Sequence, residues 1–223
     1  MKKTIIIWIL IKKLNNHDIS RYISTFISYK PIRRNIMRNK IKNKEFRDIK
    51  DGYGSIENWN VSNIINMNSM FENCNNFNRD ISKWNVQNVQ DMSYMFRNCF
   101  KFNQDLSNWN VQNVQNMLWM FTNCYNFNRD ISKWNVHNVL DMSHMFCNCK
   151  KFNQDLSKWN VHNVQNMRYM FCNCENFNQD ISKWDVQNVL NTTLMFYNCI
   201  NFNQDIISNW NVSNITNVRY TNK

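Results

Sequence analysis

Cysteine is the residue type with the widest chemistry in this sequence, and the chain has eight. Six recur at intervals of 25 residues: Cys74, Cys99, Cys124, Cys149, Cys174 and Cys199. Met and Phe recur beside them, so we expect a buried column in which Cys acts as a small hydrophobe. The other two, Cys147 and Cys172, each precede a column member by two residues, and side chains two apart on a helix diverge. Because structural zinc needs converging thiolates, we expect no metal ion and no cofactor, and this pair is suited to a disulfide only in an oxidising compartment.

Histidine and aspartate are the next candidates for chemistry. His137 and His162 share one repeat position that holds Gln or Ser in other copies, which indicates drift at an exposed site more than a paired site. An aspartate recurs in every copy: Asp80, Asp105, Asp130, Asp155, Asp180 and Asp205. A catalytic carboxylate is needed once, so this column belongs to the fold. With two glycines in the chain, no glycine-rich phosphate loop can be built. We therefore predict no catalytic residues, no enzymatic activity and no small-molecule substrate.

The elements that position these residues follow from a repeat of 25 residues. Tryptophan marks it at Trp59, Trp84, Trp109, Trp134, Trp159, Trp184 and, after one inserted residue at 206–207, Trp210. The unit reads W-[ND]-V-x-N-[VI]-x-x-M-x-x-M-F-x-N-C-x-x-F-N-x-D-[IL]-S-x. Self-similarity at a period of about 20 to 50 residues predicts a solenoid, whose units bury their apolar faces only against neighbours. We predict six full units and a partial terminal unit over residues 46–223.

Each unit is predicted to hold one short helix and one short strand. Between Val114 and Cys124 the apolar residues follow helical spacing. Between Phe102 and Trp109 an apolar Leu106 between polar neighbours favours a strand that pairs in parallel with the next coil. Two asparagine columns, which begin at Asn73 and Asn78, are expected to form the corners, since Asn tolerates left-handed geometry and bonds its own backbone.

The motif N-V-x-x-M-x-x-M-F-x-N-C-x-x-F-N-x-D-[IL]-S-x-W-N-V resembles the 25-residue repeat of the BspA-type leucine-rich-repeat surface proteins, a family of bacteria, large DNA viruses and protists. The resemblance covers about residues 46–223. It implies an α/β repeat solenoid, right-handed and leucine-rich-repeat-like, and for bacterial members it implies adhesion to host or matrix proteins. It assigns no catalytic residues. A place on a cell or virion surface and an intracellular one both stay open.

The first 45 residues are predicted to be a basic arm and a helical cap. Residues 1–50 hold 14 basic and 3 acidic side chains, whereas residues 51–223 hold 13 of each. Met1–Lys13 has a signal-like start but is too short to span a bilayer. Helical spacing follows in 18–31 and again in 32–44, and a solenoid needs an atypical terminal unit to cover its first coil. Because the repeats are neutral, only residues 1–45 are expected to bind nucleic acid or an anionic membrane, which is the alternative function.

Positions that differ between copies are the candidates for partner binding, because the scaffold does not dictate them. One column, opposite the apolar face of the predicted helix, holds Tyr94, Trp119, His144 and Tyr169. Exposed aromatic stripes are typical of interaction sites, although scattered surface rings are equally common. A basic set on the strand side holds Lys83, Lys133, Lys158, Lys183, Arg79 and Arg129. It is either a partner face or a solvated charge stripe. The leading hypothesis is a non-enzymatic protein-interaction or adhesion scaffold whose partner the sequence does not identify.

Overall fold

The computed structural model describes residues 31–42, 47–48, 54–208 and 210. Helix α1 is Arg34–Lys42, and strands β1 (Arg47–Asp48) and β2 (Gly54–Ser55) pair antiparallel. Two 3-10 turns lie at Ile56–Asn58 and Gln204–Ile207. The signal-like Met1–Lys13 and the helical pattern in 18–31 lie outside the described residues. Of the helices in the described part of the chain, none is long and apolar enough to cross a membrane.

The repeats stack in register, one coil on the next. A chain of parallel bridges joins equivalent residues of successive coils: Asn66, Asp91, Asn116, Asp141, Asn166 and Asn191. Alternate backbone N–H groups continue this pairing. Met117 donates to the carbonyl of Asp141 at 3.0 Å, and Trp119 donates to that of Ser143 at 3.0 Å. The 25-residue period predicted from the sequence is therefore the vertical repeat of the structure.

The predicted helix in each unit is wrong. Between residues 59 and 203, all of which the structure describes, there is no α-helix. Trp119 has φ 58° and Asn123 has φ 63°, and two left-handed residues four positions apart in each unit interrupt an α-helix. The N–H groups that face the next coil bond to it, while those between them close short turns, as Met120 does on Met117 at 3.2 Å.

The predicted strand at Phe102–Trp109 is also wrong, because no strand lies between residues 59 and 203. Ser107 N–H donates to the Asp105 carboxylate at 2.8 Å, and Trp109 N–H donates to the Leu106 carbonyl at 3.0 Å. These bonds fold the segment into two successive turns. Each coil is thus a closed series of turns, and the parallel pairing falls on the segment that had been predicted to be helical.

The core consists of columns of identical side chains. The phenylalanine column that starts at Phe71 stacks ring on ring, with centroids 5.4 to 5.7 Å apart. Polar atoms within the core bond to backbone. Trp109 Nε1 donates to the Ile81 carbonyl at 3.1 Å, and the Cys124 thiol donates to the Phe96 carbonyl at 3.1 Å. The cysteine column is buried as expected from Cys99 onward, and Cys74 in the first coil is half-buried.

Asparagine makes the corners, as the sequence predicts. The first column has positive φ in every coil, from 57° to 64°, and each side-chain amide donates to the Oδ1 of the preceding coil at 2.6 to 2.9 Å. In the second column, Asn78 Oδ1 accepts from the backbone N–H of Asn103 at 2.9 Å. The two ladders fix the vertical register on one side of the stack.

Helix α1 lies against the first coil. Met37 and Ile41 are buried in the same core cluster as the repeats. Arg34 donates from Nε to the Asn66 carbonyl and from Nη2 to the Asn68 carbonyl, both at 2.9 Å. In later coils the equivalent carbonyls accept two backbone N–H groups of the preceding coil. At the first described coil, the Arg34 guanidinium therefore donates where backbone N–H groups donate in later coils. The predicted domain boundary at residue 45 stays a prediction.

Candidate functional site

The variable aromatic column forms a continuous ladder of stacked rings, which we call the aromatic ladder: Tyr94, Trp119, His144 and Tyr169. The centroids are 6.1 Å apart for Tyr94 and Trp119, 4.1 Å for Trp119 and His144, and 4.8 Å for His144 and Tyr169. Interplanar angles are 12° to 21°. Ser69 and Leu194 continue the column below and above.

The backbone explains why these rings meet. Every residue in the column is left-handed, with φ between 53° and 58°, and its N–H, where a described coil follows, donates to that coil. Equivalent Cα atoms therefore stand above one another, and planar side chains fill the spacing between coils by stacking. The sequence predicted exposed rings on the far side of a helix. The structure instead holds them half-buried and stacked face to face.

His144 is the most confined member of the aromatic ladder. Its Nδ1 is buried and has no hydrogen-bond partner. Burial and, to a smaller extent, the nearby Arg168 cation lower the pKa of His144 to about 4. At neutral pH the imidazole is therefore uncharged and stacks as an aromatic ring between Trp119 and Tyr169.

Two arginines that are not among the candidates predicted from the sequence flank the aromatic ladder. Arg97 lies 4.8 Å from the Trp119 ring centroid, and Arg168 lies 5.0 Å from that of Tyr169. Such cation–π contacts stabilise both partners. Arg97 also pairs with Glu72 at 3.1 Å, while its Nε is buried without a partner. Both arginines stand in variable columns, so comparing every variable column would have found them.

The basic set is placed differently from the aromatic ladder. The lysines Lys83, Lys133, Lys158 and Lys183 are all exposed. The invariant aspartates run beside them: a hydrogen bond from Ser132 and then the nearby lysines lower the pKa of Asp130. Arg129 donates to the Asn103 carbonyl at 2.8 Å. Arg79 pairs with Glu57 at 2.6 Å. Acidic and basic side chains therefore stand side by side along this surface, as they do in a solvated charge stripe.

The lysine column is interrupted at Asn108, and an open groove lies at this position. It has a volume of about 590 Å³, is open to solvent and is lined in part by Lys83, Trp84 and Asn110. No histidine, cysteine or carboxylate lines it, so it offers hydrogen bonds and one cation and no acid–base pair.

The histidines that share a repeat position are partly exposed and bond separately. His137 Nδ1 lies 2.9 Å from Asn135 Oδ1, and His162 Nδ1 lies 2.8 Å from Asp185 Oδ2. Within the described residues no three His, Cys, Asp or Glu side chains are grouped as a metal site. The core cysteines bond to carbonyls, and burial raises the pKa of Cys199 to about 12. They are thiols in the core.

The fold and the candidate site together define a tandem-repeat protein with an invariant core and a variable, half-exposed aromatic face. The family model described as "Mycoplasma protein of unknown function, DUF285" matches residues 40–149 and 119–222, and the chain belongs to this family of BspA-like repeats. The two matches support the repeat resemblance stated above. No curated protein and no solved structure is significantly similar to the chain.

Proposed function

We propose that this protein is a non-enzymatic binding scaffold whose aromatic ladder contacts a protein partner. The observation that carries the proposal is the ladder itself, four variable rings stacked in register and flanked by Arg97 and Arg168. Half-exposed aromatic and arginine side chains are the residues that most often dominate protein interfaces.

The invariant columns support this division of roles, because their polar atoms are used inside the fold. The Asn123 amide bonds to the coil below, the Asp130 carboxylate closes its own turn, and the Trp134 indole bonds to a core carbonyl. The aromatic ladder, by contrast, changes side chain from coil to coil on an unchanging backbone. The positions that are free to vary are thus the ones that present ring edges and cations to solvent.

The chemistry of the ladder favours an acidic and apolar protein surface as its partner. Ring edges carry partial positive charge, and Arg168 adds a full charge beside them, whereas the charge of Arg97 is paired with Glu72. A sugar would stack on open ring faces, but the inner faces of Trp119 and His144 are covered by each other at 4.1 Å. Carboxylates and aliphatic side chains fit this surface better than a carbohydrate ring does.

The experiment compares two triple variants of the full-length chain. The ladder variant is Tyr94→Ser, Trp119→Ser and Tyr169→Ser, which uses the side chain that Ser69 already places at φ 55° in this column. The control is Lys83→Asn, Lys133→Asn and Lys158→Asn, which uses the side chain of Asn108. Each bait is exposed to a cell lysate and an extracellular-matrix extract, and captured proteins are then purified and titrated directly.

The proposal requires that a purified partner binds the parent and the lysine control alike, and that the ladder variant binds at least tenfold more weakly while keeping its circular dichroism. Equal binding by the ladder variant would contradict it. Loss of binding in the lysine variant alone would assign recognition to the basic set.

We also infer that the stacked coils form a right-handed solenoid of the leucine-rich-repeat kind and that adhesion is the context in which the scaffold works. The in-register bridges support the first inference and the BspA-like repeat supports the second. The alternative, binding of nucleic acid or an anionic membrane, is supported by the concentration of basic side chains in residues 1–50.

A further inference from the structure

Two cysteines outside the core column stand one above the other on adjacent coils. Cys147 and Cys172 occupy the same repeat position, where the other coils hold Glu72, Arg97, Thr122 and Tyr197. Each N–H closes the same turn, Cys147 on the His144 carbonyl and Cys172 on the Tyr169 carbonyl, both at 3.1 Å. The two side chains therefore leave the backbone at equivalent points of neighbouring coils.

The spacing of the coils at this level suits a covalent link. The rings of Phe146 and Phe171, which precede the two cysteines, are 5.6 Å apart, and those of His144 and Tyr169 are 4.8 Å apart. Disulfide-bonded cysteines have Cα atoms about 4.4 to 6.8 Å apart, and the spacing of the stacked rings on these two coils lies within that range.

The pair differs chemically from the core cysteines beside it. Cys149 and Cys174 are also neighbours on these coils, but they are fully buried, and their thiols donate to the carbonyls of Phe121 and Phe146 at 3.0 Å. Cys147 and Cys172 keep exposed fractions of 8% and 5%. Interaction between the two thiol side chains, together with burial, raises the pKa of Cys147, and the same interaction lowers the pKa of Cys172.

We propose that Cys147 and Cys172 are an oxidation site at which hydrogen peroxide forms a disulfide that ties two coils of the aromatic ladder together. The assignment rests on the in-register placement of the pair, its contact and its small exposed fraction, which admits an oxidant of this size. It is independent of what the ladder binds.

The reaction balances in two steps. The Cys172 thiolate attacks one oxygen of hydrogen peroxide, the O–O bond breaks, and hydroxide leaves to give a sulfenic acid. Cys147 then loses its proton and attacks the Cys172 sulfur, the S–O bond breaks, and water leaves. The two thiols lose two electrons, and one peroxide becomes two waters, the second from the hydroxide and a proton.

The test treats the reduced full-length protein with limiting hydrogen peroxide and measures intact mass, free thiols and the linked peptide. We expect the parent to lose two hydrogen atoms in mass and two of its eight thiols, with fragmentation placing the bond between Cys147 and Cys172. The Cys147→Ser variant cannot close the disulfide, so a dimedone probe should label its Cys172 at least several-fold more than in the parent.

A second readout does not depend on labelling. The oxidised parent should unfold at a higher denaturant concentration than the reduced parent, and this shift should vanish in Cys172→Ser. The proposal is overturned if the oxidised protein retains all its thiols, or if the bond links Cys149 to Cys174 or joins two molecules. It is also overturned if Cys147→Ser yields no sulfenic acid at Cys172.

Discussion

At the residue scale, the fold depends on side chains that tolerate a left-handed backbone without glycine. Twelve described residues other than glycine have positive φ, six in the asparagine ladder and six in the column of the aromatic ladder. Asparagine offsets the strain with its amide ladder. The aromatic residues offset this strain by stacking on one another. The same stacking builds the surface proposed to bind a partner.

The asparagine ladder can be tested at Asn123. Its amide donates to Asn98 at 2.6 Å, and its Oδ1 accepts from Asn148 at 2.7 Å. Asn123→Ala should lower the free energy of unfolding by about 2 kcal/mol, because Ala loses these bonds and is strained in the left-handed region. Asn123→Gly loses the same hydrogen bonds but adopts the left-handed backbone without strain. Its loss of unfolding free energy should therefore be about half as large. Urea unfolding followed by fluorescence would compare them, and equal losses would refute the strain argument.

His144 predicts a pH dependence of stability. Its pKa is about 4 in the folded protein, below the ordinary value of 6.5, so the unfolded chain binds the proton more tightly. The contribution of neutral His144 is therefore complete above about pH 6.5 and declines as the pH falls toward 4. His144→Tyr, the side chain of neighbouring coils, should remove this decline. The measurement is the difference in unfolding midpoint between parent and variant, taken at pH 7 and again at pH 5. The carboxylates are the same in both proteins, so their effect cancels in this difference. A constant difference would contradict the prediction.

At the scale of elements, the sequence predicts the period, the apolar columns and the asparagine corners, and it misassigns the segment between corners. Met67, Met70, Phe71 and Cys74 have helical spacing because successive three-residue turns also return every third or fourth side chain to one face. An α-helix and a stack of turns differ in the acceptors to which alternate backbone N–H groups donate. Their acceptors lie 24 residues ahead, as Met67 to Asp91 shows, and no pattern within one unit reveals them.

Only part of the candidate site could be predicted, because it too depends on contacts between coils. Aligning the repeats reveals the variable column that holds Trp119 and His144. The stacking of these rings depends on a left-handed backbone, which an aromatic side chain does not predict. Arg97 also stands in a variable column, but its contact with the Trp119 ring is seen only in the structure. Sequence comparison locates the columns, and the backbone decides which of them meet.

Arg34 is the element-scale prediction, because one side chain replaces two backbone donors. Its two bonds to the Asn66 and Asn68 carbonyls satisfy acceptors of the first described coil that backbone N–H groups satisfy in later coils. Arg34→Ala should raise amide exchange in residues 59–75 by about tenfold, as expected from the loss of roughly 1.5 kcal/mol for a hydrogen bond to a charged group. Arg34→Lys, a point charge without the planar fork, should recover only part of the protection. Unchanged exchange in both variants would show that the contact does not stabilise this coil.

At the scale of the whole molecule, the repeats behave as a one-dimensional array in which each coil is stabilised by its neighbours. The ends are then the weak points, and the first coil is covered by Met37 and Ile41 of α1 and by Ile32 before it, whose exposed fractions are 0%, 3% and 0%. The basic arm and this cap overlap within residues 1–45, so removing both at once would confuse polyanion binding with loss of stability.

Two truncations separate these roles. Deleting residues 1–30 removes six basic side chains and leaves α1, so the cap over the first described coil should be kept and amide exchange in residues 59–75 should stay unchanged. Deleting residues 1–45 also exposes the apolar end of the first coil, at roughly 1.5 to 3 kcal/mol for each of the three buried side chains. Hydrogen exchange should therefore accelerate first in residues 59–75 and fade toward later coils. If both truncations exchange alike, α1 is not the cap. If the deletion of residues 1–30 already abolishes binding to heparin or anionic vesicles while the protein stays folded, the arm carries that activity by itself.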